Sequence, residues 1–122
     1  MNNIYFFDTY ALIEIIRGSQ NYKPYLDCRI ITTIFNIAEL NYNLKKEMSK
    51  EMANEHTEKF SEFMVHVSIE DIKQAMDFKS LHRNLSIPDA IGYRVAKKHS
   101  VKFLTGDSYF EKIDNVEFVK KG

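Results

Sequence analysis

The sequence predicts an α/β fold: a three-layer α/β/α sandwich around a central, mainly parallel sheet of four to five strands. Short runs of β-branched and aromatic residues alternate with longer stretches of helical periodicity. Only two prolines and four glycines interrupt the 122 residues, and there is no repeat or low-complexity tract. Such alternation calls for parallel strands joined by right-handed helical crossovers that cover both sheet faces. A single domain, 1–122, is the expected organisation, since this length suffices for one good core.

Taken in order, residues 3–7 read as the first strand, ending "IYFF". A helix follows over 9–17, with Leu12, Ile13 and Ile16 on one face and Gly18 as its stop. The polar stretch "SQNYKPYLD" carries Pro24 and reads as a loop. "CRIITTI" (28–34) is a second strand. A long helix over 35–48 has the apolar stripe Ile37, Leu40, Leu44 and Met48. Met52, Phe60 and Phe63 indicate a third helix, with a break between Met48 and Ala53. "MVHVSI" (64–69) reads as a strand. Ser68 with Asp71, and Ser86 with Asp89, have the spacing of capping boxes that open helices 70–83 and 87–99. "VKFLTGD" (101–107) is a further strand, then comes a helical turn, and "VEFVK" (116–120) is the last strand.

Apolar residues make up 44% and charged residues 28%, the balance of a soluble globular domain. No window approaches the ~18 consecutive apolar residues of a membrane span, so no membrane partner is expected. The start, MNNIYFF, has neither a basic n-region nor a small-residue cleavage site, which argues against a secretory signal. The single cysteine, Cys28, cannot form an internal disulfide and suits a reducing, cytoplasmic setting. Seventeen basic residues balance seventeen acidic ones, which argues against a generic DNA-coating protein but leaves room for a local patch.

Four acids carry the chemistry. Asp8 and Asp107 each end an apolar strand and are each followed by a hydroxyl, Thr9 and Ser108. If both strands are central and parallel, the two carboxylates sit together at the carboxyl edge of the sheet, where ligands bind in such folds. Asp89 starts a helix at the same edge, and Glu39 lies in the second turn of its helix with Asn36 on the same face. Thr105 shares the Asp107 face of its strand. Each acid alone has a purely structural explanation: Asp8 and Asp107 as N-caps, Asp89 as half of a capping box, Glu39 as a solvated helix residue. Jointly, four clustered carboxylates repel unless a cation sits among them. Oxygen ligands without histidine or cysteine suit Mg²⁺ or Mn²⁺. The four histidines show no zinc motif, and His56 falls on the stripe with Met52 and Phe60. Neither a glycine-rich phosphate loop nor a G-x-S-x-G elbow is present.

Asp8 with its hydroxyl neighbour, Glu39, Asp89 in "SIPDAIGYRVA" and Asp107 in "FLTGDSYF" resemble the four acids of the PIN domain. The small size resembles its VapC-type toxin ribonucleases, and the resemblance runs from Ile4 to Val119. It implies Mg²⁺- or Mn²⁺-dependent cleavage of RNA, metal-holding and catalytic roles for Asp8, Glu39, Asp89 and Asp107, a homodimer, and an antitoxin that blocks the groove. On this reading Thr9, Asn36, Thr105 and Ser108 orient the acids.

Without the four acids, seventeen basic residues face thirteen acidic ones. Asn43 and Lys46 project within about 40° of Glu39 on a helix and are candidate RNA contacts. Tyr93, one turn beyond Asp89, is a candidate stacking residue. Two rival readings are a non-catalytic adaptor that binds a partner protein through the groove, and a receiver-like phospho-acceptor module. The latter requires adjacent acids after the first strand and a lysine after a late one, whereas Asp8 is followed by Thr9 and Tyr10.

Overall fold

A computed structural model describes residues 3–122, so the first two residues of the expected domain lie outside the described residues. Strand β1 (Ile4–Phe7) is followed by helix α1 (Thr9–Arg17), and β2 (Arg29–Ile31) by α2 (Ile34–Leu44) and α3 (Lys50–Ser61). Then come α4 (Ile69–Leu81), α5 (Ile87–Lys98), β3 (Lys102–Thr105) and β4 (Val116–Phe118). The sheet has the order β2-β1-β3-β4, and every pairing is parallel. The chain runs outward from β1 to β2 and then returns to the other side of β1. The β1/β3 junction is therefore the switch in strand order, with the carboxyl ends of both strands facing one crevice.

Alternation along the two central strands creates the layers. Phe6 and Phe103 face one core with Ala90, Ile91 and Val95 of α5 and Ala75 of α4. Phe7 and Leu104 face the other, with Leu12 of α1, Leu40 and Leu44 of α2, and Phe60 of α3. Phe6 is opposite Phe103 and Phe7 opposite Leu104 in the ladder, so each face receives an aligned pair. The result is the three-layer α/β/α sandwich, with four strands.

The fifth expected strand, 64–69, does not form. One parallel bridge joins Thr32 to Met64, with Val65 N–H donating to Thr32 O at 2.9 Å. The segment runs between the α3 cap at Glu62 and the α4 cap at Ser68, and among the described residues no second bridge extends the ladder. Val65 and Val67 pack against the α4–α5 core instead.

Helix α2 is shorter than the expected 35–48. Thr33 caps its start, with its hydroxyl accepting from Asn36 N–H. It ends at Leu44, whose carbonyl then accepts from Glu47 at 2.9 Å and Met48 at 3.0 Å in a terminal turn. Ser49 caps α3, so the break falls at 45–49. In α3 the inward face is Ala53 and Phe60, while Met52 is 52% exposed, and His56 is half-buried. The expected loop before β2 contains a 3₁₀ turn (Gln20–Tyr25) with Tyr22 buried. Gly18, at φ 72°, closes α1 as expected. No helix among the described residues is long and apolar enough to cross a membrane.

Candidate active site

Asp8 directly follows β1 and caps α1, with Oδ1 accepting from Ala11 N–H at 2.8 Å. Its backbone N–H donates to Leu104 O at 3.3 Å, which holds it against β3. Asp107 caps the 3₁₀ turn Ser108–Phe110 after β3, accepting from Tyr109 N–H at 3.0 Å. Thr105 lies between these acids: it accepts from Asp107 N–H at 3.1 Å, and its side chain works to lower the Asp8 pKa. The parallel β1/β3 pairing thus brings together two acids that are 99 residues apart in sequence.

Glu39 arrives from α2 through a polar relay. Thr9 Oγ1 donates to Glu39 Oε1 at 2.5 Å, and Asn36 Nδ2 donates to Thr9 Oγ1 at 3.4 Å. Thr33 Oγ1 in turn donates to Asn36 Oδ1 at 2.7 Å. Asn36 and Thr33 are fully buried, so the relay fixes the Glu39 carboxylate from inside the fold. Asp89 sits in the first turn of α5, where its N–H donates to Ser86 Oγ at 3.2 Å.

Asp8, Glu39, Asp89 and Asp107 line one open groove of about 420 Å³. Burial pushes the Asp8 carboxyl well above the usual carboxylate range, against hydrogen bonds from Thr105 and Ala11, and Asp89 and Asp107 add to the rise. Burial also pushes Asp89 up to about 6, with Glu39 and Asp107 adding repulsion and Ser86 holding it down. Upward shifts of this origin mark carboxylates with no neutralising partner.

The other expected residues divide. Asn43 lines the groove. Lys46 does not, because α2 ends before it; its ammonium lies over the Tyr42 ring at 4.3 Å. Tyr93 is not a groove residue. It is 3% exposed, stacks on Phe78 at 4.7 Å, and its hydroxyl donates to Asp114 O at 2.7 Å. One helical turn beyond Asp89, α5 has already passed from the groove into the core. Ser108 accepts from Lys120 Nζ at 2.7 Å and bonds no site acid. Lys120 itself was not anticipated, since it is remote in sequence and lies past the last strand, yet it lines the groove.

Among the described residues, no three carboxylate, histidine or cysteine side chains are gathered closely enough to chelate a metal ion as they stand. The donor set nevertheless fits a hard divalent cation. All four candidate donors are carboxylates, two are unneutralised and driven upward in pKa, and the groove is open to hydrated ions.

The PIN domain family model matches residues 5–116. The chain belongs to the PIN domain family, whose members are generally nucleases. No curated protein matches the chain. Its fold is similar to a toxin–antitoxin complex from Klebsiella pneumoniae, at 20% identity and TM-score 0.73, covering 93% of this chain and 95% of that one. It is also similar to VapBC2 from Rickettsia felis bound to a promoter DNA fragment, at 17% identity and TM-score 0.73, with 98% and 99% covered. PAE2754 from Pyrobaculum aerophilum aligns at 19% identity and TM-score 0.71, with 97% and 92% covered.

Proposed function

We propose that this chain is a Mg²⁺- or Mn²⁺-dependent endoribonuclease and the toxin of a toxin–antitoxin pair. One observation carries the reading: four carboxylates from separate stretches of sequence share a single groove at the carboxyl ends of the two central strands. Similarity to structures described as toxin–antitoxin and VapBC assemblies supports the toxin assignment. A cognate antitoxin, a homodimer and a cytoplasmic location belong to this proposal.

Asp8, Asp89 and Asp107, together with Glu39, would hold the cation. When bound, it supplies a lowered pKa for coordinated water and neutralises charge in the transition state. Glu39, steadied by Thr9 and Asn36, orients the attacking water and takes its proton. The water oxygen bonds to phosphorus, the P–O3′ bond breaks, and a proton passes to the leaving oxygen. The products carry a 5′-phosphate and a 3′-hydroxyl. Thr105 steadies Asp107 by accepting its backbone N–H.

A phospho-acceptor module remains a definable second reading, because Lys120 supplies the late lysine it requires. It lacks the second acid after β1, where Thr9 gives its hydroxyl to Glu39. Incubation of purified protein with defined RNAs, with and without chelator, tests the nuclease. Cleavage that needs metal and disappears in Asp8→Asn is expected. Metal-independent binding of a partner protein with no cleavage would favour the adaptor, and a covalent phosphate after exposure to a small phosphodonor would favour the module.

A further inference from the structure

The groove poses an electrostatic problem that its acids cannot solve. A nucleic acid backbone approaching four carboxylates meets like charge, and the only basic side chain lining the groove among the described residues is Lys120. We propose that Lys120 is the phosphate-binding residue of this groove, engaging a non-bridging oxygen of the RNA backbone beside the acid cluster. The inference rests on the nuclease reading and adds to it the residue that seats the substrate.

The geometry around Lys120 is built rather than incidental. Its ammonium donates one hydrogen bond to Ser108 Oγ at 2.7 Å and keeps two donors for a ligand. It also lies 5.9 Å from the centre of the Phe118 ring. No carboxylate among the described residues forms an ion pair with it, in contrast to Lys97 and Lys98, which pair with Asp114 and Asp71.

The backbone that carries Lys120 is fixed on both sides. Val119 N–H donates to Thr105 O at 2.8 Å, and Val119 O accepts from Tyr22 OH at 2.7 Å. Lys120 O accepts from Asn21 Nδ2 at 3.0 Å, and Lys121 N–H donates to Tyr10 OH at 3.1 Å. Gly106 makes this approach possible: a Cβ there would stand 2.1 Å from the Tyr10 ring and 2.5 Å from Val119 O. The segment after β4 is thus one wall of the groove, held by the same strand end that carries Asp107.

The test compares Lys120→Met and Lys120→Arg in an Asp8→Asn background that does not cleave. Anisotropy of a labelled single-stranded RNA oligonucleotide is followed against salt at fixed Mg²⁺. Lys120→Met should weaken binding roughly three- to tenfold and make the logarithmic salt dependence shallower by about 0.7, the value of one lost phosphate contact on a single strand. Lys120→Arg should restore both. With Asp8 intact, Lys120→Met should raise KM for cleavage far more than it lowers kcat. Unchanged affinity and salt slope would overturn the inference, as would a loss that Arg does not restore or a parent protein that binds no RNA. An Asp8-containing protein that never cleaves, while the Lys120 salt signature holds, defeats the nuclease reading alone. Cleavage by that protein together with a silent Lys120→Met defeats this inference alone.

Discussion

At Asp8 a helix cap and a site carboxylate are one group: Oδ1 receives the Ala11 amide at 2.8 Å while the carboxyl is buried beside Asp89 and Asp107. Asparagine caps as well as aspartate does, so Asp8→Asn separates the two roles. It should keep the fold, raise the melting temperature in chelator by relieving charge burial, and lower metal-dependent RNA cleavage by ~10²-fold or more. A variant that cut RNA at the parent rate would leave Asp8 a cap and nothing else. Thr9 offers a finer test, since its hydroxyl steadies Glu39 at 2.5 Å. Thr9→Val retains shape but loses that bond, and Mn²⁺ affinity, measured by thermal shift, should fall ~10–100-fold, with Thr9→Ser recovering most of it. The positions of the four acids were readable in advance because each stands next to a strand end or helix start that its own neighbours signal. Helical angle alone says nothing of depth or of where a helix stops, so it brings Tyr93 and Lys46 toward the groove while the structure buries one and leaves the other beyond α2. Lys120 has no local signal, and only the third dimension brings it to Ser108.

At the scale of elements, patterns of apolar spacing placed β1, α1, β3 and α5 to within two residues, since those segments contribute to a core on one clear face. The run 64–69 has a strand-like composition, but it makes a single bridge and its valines pack into the α4–α5 core. The Ser68–Asp71 capping box, by contrast, is complete: Ser68 N–H donates to Asp71 Oδ2 and Asp71 N–H to Ser68 Oγ, both at 3.0 Å. Asp71 also joins α4 to α5, accepting from Lys98 Nζ at 3.0 Å and lying 3.7 Å from Arg94 Nε. Burial raises its pKa, but the bonds from Ser68 and Lys98 outweigh that and hold it below the usual value. Its contribution is therefore present above the ordinary carboxylate range and lost as pH falls through its depressed pKa. Asp71→Ala should cost ~2 kcal/mol in denaturant unfolding at neutral pH, the sum of a lost cap and a lost charge-assisted bond. Lys98 remains partly exposed and can rehydrate, which keeps the cost below that of a fully buried broken pair. The deficit relative to the parent should shrink in strong acid.

For the molecule as a whole, the groove contributes a pH dependence opposite in sign to that of Asp71. Asp8 and Asp89 both have folded-state pKa values above their unfolded ones, through burial first and repulsion from neighbouring acids second. Raised values mean that the folded chain holds protons the unfolded chain releases, so these groups favour folding at low pH. Their contribution is fully present below about 4, the ordinary carboxylate value, and for Asp89 it is lost as pH rises through about 6. In chelator, the melting temperature should therefore be higher near pH 5 than near pH 7.5, and the Asp8→Asn, Asp89→Asn double variant should flatten that difference. Divalent cation should act oppositely, because it binds the deprotonated acids and can stabilise only the charged groove. Mn²⁺ or Mg²⁺ should raise the melting temperature at pH 7.5 and have little effect at pH 5, and the double variant should respond at neither. A chain whose stability in chelator rose steadily from pH 5 to 7.5, with no added response to metal, would have its acids neutralised by the protein itself. The groove would then be a binding surface rather than a cation-assisted site.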